Sequence, residues 1–210
     1  MEKSTLFVIT ISRQLGSGGA LIGKQLANKL NILFADREII TKAAKQLQVL
    51  EDDLQGREER LLSFWETFRT GITTLDHVSA PALSGMLEAT DDELFTTEAG
   101  IITHLTDEQS VVIIGRCGFH VLRDHPNHLS IFLYANKEFR SERLQKVRNI
   151  TKPEADSLIE KSDKQRAVYC KRFTEKEWTD ARNYNISVDT SKMDTDKTLE
   201  LILSYIRLRY

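Results

Sequence analysis

Leu6-Phe7-Val8-Ile9-Thr10-Ile11 reads as a short buried strand, and the glycine-rich turn directly after it constrains the fold more than any other feature of the chain. That turn is Ser12-Arg13-Gln14-Leu15-Gly16-Ser17-Gly18-Gly19, after which Leu21, Ile22, Leu26, Ala27 and Leu30 recur at helical spacing. Strand, tight turn and helix make the first half of a parallel crossover, because parallel neighbours need a long connection. The alternation continues. Ile32-Leu33-Phe34-Ala35 is a second strand run, and Ile39, Ile40, Ala43, Ala44 and Leu47 again recur as on a helix. Val111 to Ile114, Leu129 to Leu133 and Asn185 to Val188 supply three more strands. The spacing predicts a charged helix from about Lys137 to Arg148 and another from Pro153, where proline suits the first helical turn. Leu199, Ile202, Leu203 and Ile206 stripe a C-terminal helix. Right-handed crossovers then place helices on both faces of a five-stranded parallel sheet.

Between the second and third strands, residues 50–107 show helical periodicity, many charges and no convincing strand. This stretch reads as a helical insertion carrying Leu61, Leu62, Trp65 and Phe68 on one face, with a break near Pro81 or Gly85. Trp65 and Phe68 read as helix packing and leave a homo-oligomer contact open. A chain of 210 residues suffices for one domain with a real core. Lys and Arg total 29 against 31 Asp and Glu, for a formal net charge of -2, which argues against a general nucleic-acid binder. Apolar runs such as Val111 to Ile114 are only four or five residues long, far short of a membrane span, and no signal peptide is read at the start. The two cysteines, Cys117 and Cys170, have no metal-type spacing and read as reduced thiols of a cytoplasmic protein. His104, His120, His125 and His128 show no zinc pattern, and the last two read as loop residues.

The glycine turn is the first candidate site. Backbone amides before a helix, backed by its positive end, cradle phosphate. A literal near-match to the Walker A pattern begins at Gly18 and puts Lys24 at the lysine. That register fails, because Leu21 and Ile22 would then face phosphate instead of the core.

Ile9-Thr10-Ile11-Ser12-Arg13, Gly16-Ser17-Gly18-Gly19, Ile22-Gly23-Lys24, Leu26-Ala27 and Asp36 together resemble the cytidylate kinase-like family, a divergent branch of the P-loop nucleoside monophosphate kinases. Gly115-Arg116, Asp163-Lys164-Gln165-Arg166-Ala167, Trp178, Tyr184 and Asp189-Thr190-Ser191 continue the match in order. The resemblance implies one P-loop kinase-like α/β domain of three layers over residues 1–210. Residues 50–107 would form the acceptor-side insertion and residues 140–182 an arginine lid. ATP would bind at Arg13, Gly16, Ser17, Gly18 and Gly19, with Mg²⁺. The acceptor, a nucleoside monophosphate of cytidylate type or another small phosphorylated metabolite, would bind at Asp36, Lys42 and Arg116. Arg116, Arg140, Arg143, Asp163 and Arg166 would serve catalysis, and neither nucleic acid nor membrane is implied.

Departures from the family pattern matter as much. Gly19 stands at the Walker lysine and Ala20 at the hydroxyl that helps hold Mg²⁺, so Arg13 is the compensating cation. Ile114 and Cys117 stand at acidic positions and Ile159 at a lid arginine, which leaves no metal ligand to assign. Cys117, beside Arg116, could carry a lowered thiol pKa, although a core-edge role fits it better. These departures define a rival reading, a regulatory nucleotide-binding module without transferase activity.

Overall fold

The computed structural model describes residues 6–37, 39–41, 43, 44 and 91–210. Lys42, the apolar face at Leu61, Leu62, Trp65 and Phe68, and the break near Pro81 or Gly85 lie outside them. Five strands form one parallel sheet: β1 (Val8–Arg13), β2 (Leu33–Ala35), β3 (Val111–Ile114), β4 (His128–Tyr134) and β5 (Ile186–Asp189). Their order across the sheet is β2-β3-β1-β4-β5, with Ile9 level with Val112 on one side and Leu129 on the other. The first strand of the sequence is therefore the central one. The glycine turn leaves its carboxyl end, flanked by the ends of β3 and β4.

Alternation along the strands divides the core. Val8, Val111 and Ile113 pack on one face against Ile40, Ala43 and Ala44 and against α2 (Asp91–Glu108). Ile9, Ile11, Val112, Ile114, Leu129, Ile131 and Leu133 face the other side, under α1 (Gly19–Leu30) and α6 (Thr195–Arg209). Both strand faces are apolar, as a sheet covered by helices on each side requires.

Three further helices build the carboxyl edge: α3 (Gly118–Val121), α4 (Lys137–Arg148) and α5 (Lys152–Thr174). Asn136 caps α4 by accepting from the Phe139 amide at 2.8 Å. Glu154 reaches back to the Thr151 amide at 2.8 Å to start α5. Leu144 of α4 packs on Ala155 and Ile159 of α5, so an apolar contact stands where the family pattern has a lid arginine. His128 departs from the expected loop. It opens β4, is buried, and its Nε2 lies 2.7 Å from Thr10 Oγ1, while burial holds its pKa down to about 4. No described helix is long and apolar enough to cross a membrane.

Candidate functional site

The glycine turn is shaped by its neighbours. Gly16 and Gly18 both adopt left-handed conformations, with φ of 86° and 83°. No side chain caps α1, and the Ser17 hydroxyl donates instead to Gln14 O at 2.9 Å. The first-turn amides of α1 therefore remain for a ligand. A Cβ on Gly19 would stand 2.6 Å from Cβ of Arg13 and 2.9 Å from its Cγ. The Arg13 stem thus occupies the space that a side chain at the Walker lysine position would need. Gly19→Ala is expected to cost about 1–3 kcal/mol by overpacking. A thermal melt checks it, and an unchanged Tm would show that Arg13 moves aside freely.

The Arg13 guanidinium ends against Gly115, at a strained corner. Gly115, Arg116 and Cys117 follow β3 with three consecutive positive φ values, 80°, 51° and 51°. Left-handed backbone is costly for residues with a Cβ, and such strain concentrates at functional sites. This corner faces α5 across a cavity of about 190 Å³, lined by Arg13, Arg37, Arg116 and Arg166 together with Tyr169 and Trp178. Among the described residues, none of its lining side chains is a carboxylate. Burial, and then the charges of Arg166 and Arg37, pull the Arg13 pKa well below the usual guanidinium value. Burial also lowers that of Arg166, which donates to Arg13 O at 2.9 Å and lies 5.9 Å from the Trp178 ring centroid. Cations crowded together along the wall of a cavity repel one another and attract anions.

Arg116 is held from behind by a buried network. Its Nη1 lies 3.1 Å from Glu98 Oε2 and donates to Tyr169 OH at 3.2 Å, while Nη2 donates to Thr41 Oγ1 at 2.7 Å. Glu98 is 1% exposed and also accepts from Thr41 and Tyr169. Burial raises its carboxyl pKa, against the pull of Arg116. Arg116 Nε is buried without a hydrogen-bond partner among the described residues.

The other expected site residues are distributed around this cavity. Arg140 is buried and donates to Asp163 at 2.7 Å, which ties α4 to α5 beneath the glycine turn. That pair does not line the arginine cavity. Arg143 lines a second cavity of about 520 Å³ with Ser17, Thr190 and Lys192, on the other side of the turn. A Cβ on Gly18 would come within 3.2 Å of the Arg143 guanidinium carbon. Asp36 accepts from the Ile39 amide at 3.0 Å, as a helix cap. Cys117 has its thiol pKa raised, first by the neighbouring Cys170 thiol, instead of lowered by Arg116.

Sequence reading missed Arg37, Glu98, Thr41 and Tyr169. Glu98 carried a readable signal, since Leu94, Glu98, Ile101 and Leu105 share one helix face and only the acid breaks its apolar pattern.

The described residues do not by themselves make a protein-ligand site for a magnesium ion. Among the described residues, no group of three His, Cys, Asp or Glu side chains could hold a metal. Ala20 offers no hydroxyl, and Glu98 and Asp163 are engaged by arginines.

A sequence profile described as the cytidylate kinase-like family matches residues 8–192. No curated protein sequence matches the chain. Among solved structures, the chain is similar to an uncharacterized protein from Eubacterium ventriosum, with a TM-score of 0.71, 25% identity, and coverage of 96% of this chain and 98% of that one. It shares its fold with a shikimate kinase from Acinetobacter baumannii, at a TM-score of 0.50, 14% identity, and coverage of 98% and 95%. A gluconokinase from Sinorhizobium meliloti gives a TM-score of 0.50, 14% identity, and 98% coverage of both chains. The fold is that of the P-loop kinases.

Proposed function

The chain belongs to the cytidylate kinase-like family, and from that premise we propose that it transfers a phosphoryl group from ATP to a small phosphorylated acceptor, a nucleoside monophosphate of cytidylate type among the candidates. Family and fold together support a kinase acting on a nucleotide or small molecule. The observation that carries the reading is the cavity where Arg13, Arg37, Arg116 and Arg166 converge with no carboxylate among its described lining residues.

Phosphoryl transfer asks a protein mainly for positioning and charge neutralisation. The glycine-turn amides and Arg13 hold the donor phosphates, and Arg143 reaches the donor from the second cavity. Arg116 and Arg37 hold the acceptor, and Arg166 on α5 covers the transferring group and excludes water. Neutralisation rests on arginine, with no step assigned to a metal. Among its described lining residues the cavity offers four arginines and no carboxylate base, which supports an acceptor that needs no base. An alcohol must lose a proton to a base as it attacks. A phosphate monoester is already largely ionised at pH 7, with its second pKa near about 6, and needs none.

The rival, a nucleotide-binding module without transferase activity, draws on Gly19 and Ala20 at the Walker positions and on the engagement of Arg140 by Asp163. ADP release is the deciding measurement, with ATP, Mg²⁺ and a panel of nucleoside monophosphates, other phosphorylated metabolites, shikimate and gluconate. Release only with phosphorylated acceptors is the expected result. ATP binding by calorimetry with no release from any acceptor would favour the module.

A further inference from the structure

We propose that Cys117 and Cys170 form an oxidisable dithiol that regulates the arginine cavity, an inference that rests on reading that cavity as the anion site. The two thiols belong to opposite walls. Cys117 precedes α3 at the strained corner after β3, and Cys170 lies near the end of α5. They pack in one buried cluster with Phe119 and Trp178, both are free, and both line the cavity. They are the two cysteines of the chain, so each has the other as its partner.

Their environments divide the labour. The neighbouring Cys117 thiol lowers the Cys170 thiol to about 7, against burial and with help from Thr174, while the Cys117 thiol is pushed up. The thiolate is the nucleophile in sulfur oxidation. With hydrogen peroxide as oxidant, Cys170 sulfur attacks one peroxide oxygen, the O–O bond breaks, and water leaves as a sulfenic acid forms. Cys117 sulfur then attacks that sulfenic sulfur and releases a second water. Two thiols are oxidised to one disulfide, and one peroxide is reduced to two waters. The new bond pins α5, which carries Arg166 and Tyr169, to the corner that carries Arg116.

The test uses the full chain with inorganic tripolyphosphate as the probe, followed by calorimetry before and after peroxide treatment. Oxidation should yield a linked Cys117–Cys170 peptide by mass spectrometry, lighter by two hydrogens. Tripolyphosphate affinity should fall by about tenfold or more and return with dithiothreitol. Cys170→Ser should bind as the reduced protein does and keep that affinity after peroxide. Cys117→Ser should stop at a Cys170 sulfenic acid, which dimedone traps. Reduced protein that fails to bind tripolyphosphate would overturn the cavity reading and the regulation with it. Reduced protein that binds, together with no linked peptide or with a cross-link that leaves affinity unchanged, would overturn the regulation alone.

Discussion

Arg116→Ala is expected to destabilise the protein by about 3–5 kcal/mol, because it strands Glu98 as an uncompensated buried charge. For a chain of this size that corresponds to a Tm lower by roughly 6–20 °C. Glu98 is 1% exposed, and Arg116 is its ion-pair partner at 3.1 Å. The loss should depend on pH with a definite sign. Burial already raises the Glu98 carboxyl above its ordinary value of 4.5, and Arg116 opposes that rise. An acid whose folded pKa is raised contributes stability below its unfolded pKa and loses it as pH climbs through the folded value. Removing Arg116 raises the folded value further. The deficit of the variant should therefore be smallest near about pH 4 and widen toward neutrality. Adding Glu98→Gln should recover much of it by removing the charge. Thermal melts across that range decide the matter, and a deficit independent of pH would sink the account.

Arg13→Ala is expected to weaken tripolyphosphate and ATP binding by roughly ten- to a hundredfold, the cost of a lost charge-assisted contact at about 1.5–3 kcal/mol. Stability should not fall with it. Arg13 is a half-buried cation pressed by Arg166, Arg37 and Arg116 against a smaller pull from Asp36, so removing it relieves net repulsion in the unliganded protein. The expected signature is a split, with weaker binding by calorimetry and a Tm equal to or above that of the parent. Added tripolyphosphate should raise the parent Tm far more than that of the variant, since a ligand stabilises in proportion to its affinity. Unchanged affinity in Arg13→Ala would remove this residue from the donor site.

The fold is largely legible in the sequence. Every strand run falls within two residues of its observed position, because strands buried on both faces are continuous apolar runs. His128 escapes such a reading because a histidine satisfied by Thr10 inside a sheet looks, in sequence, like any polar residue beside a proline-containing turn. The site is legible only in part. Arg13, Arg116 and Arg166 stand out by their places at strand ends and on α5, and the structure gathers all three at one cavity. Arg140 and Asp163 stand out as positions, but their mutual ion pair beneath the glycine turn depends on how α4 packs on α5.

Sequence alone determined the parallel α/β sheet, the glycine turn at its centre and the absence of a Walker lysine, since each is a matter of local pattern and residue identity. Tertiary structure decided what fills the space beside Gly19 and what holds Arg116. The stem of Arg13 crosses the space above Gly19, Glu98 holds Arg116 from a helix eighteen residues upstream, and Cys170 meets Cys117 across fifty-three positions. Such contacts are set by burial and packing between elements distant in sequence, and no local periodicity encodes them.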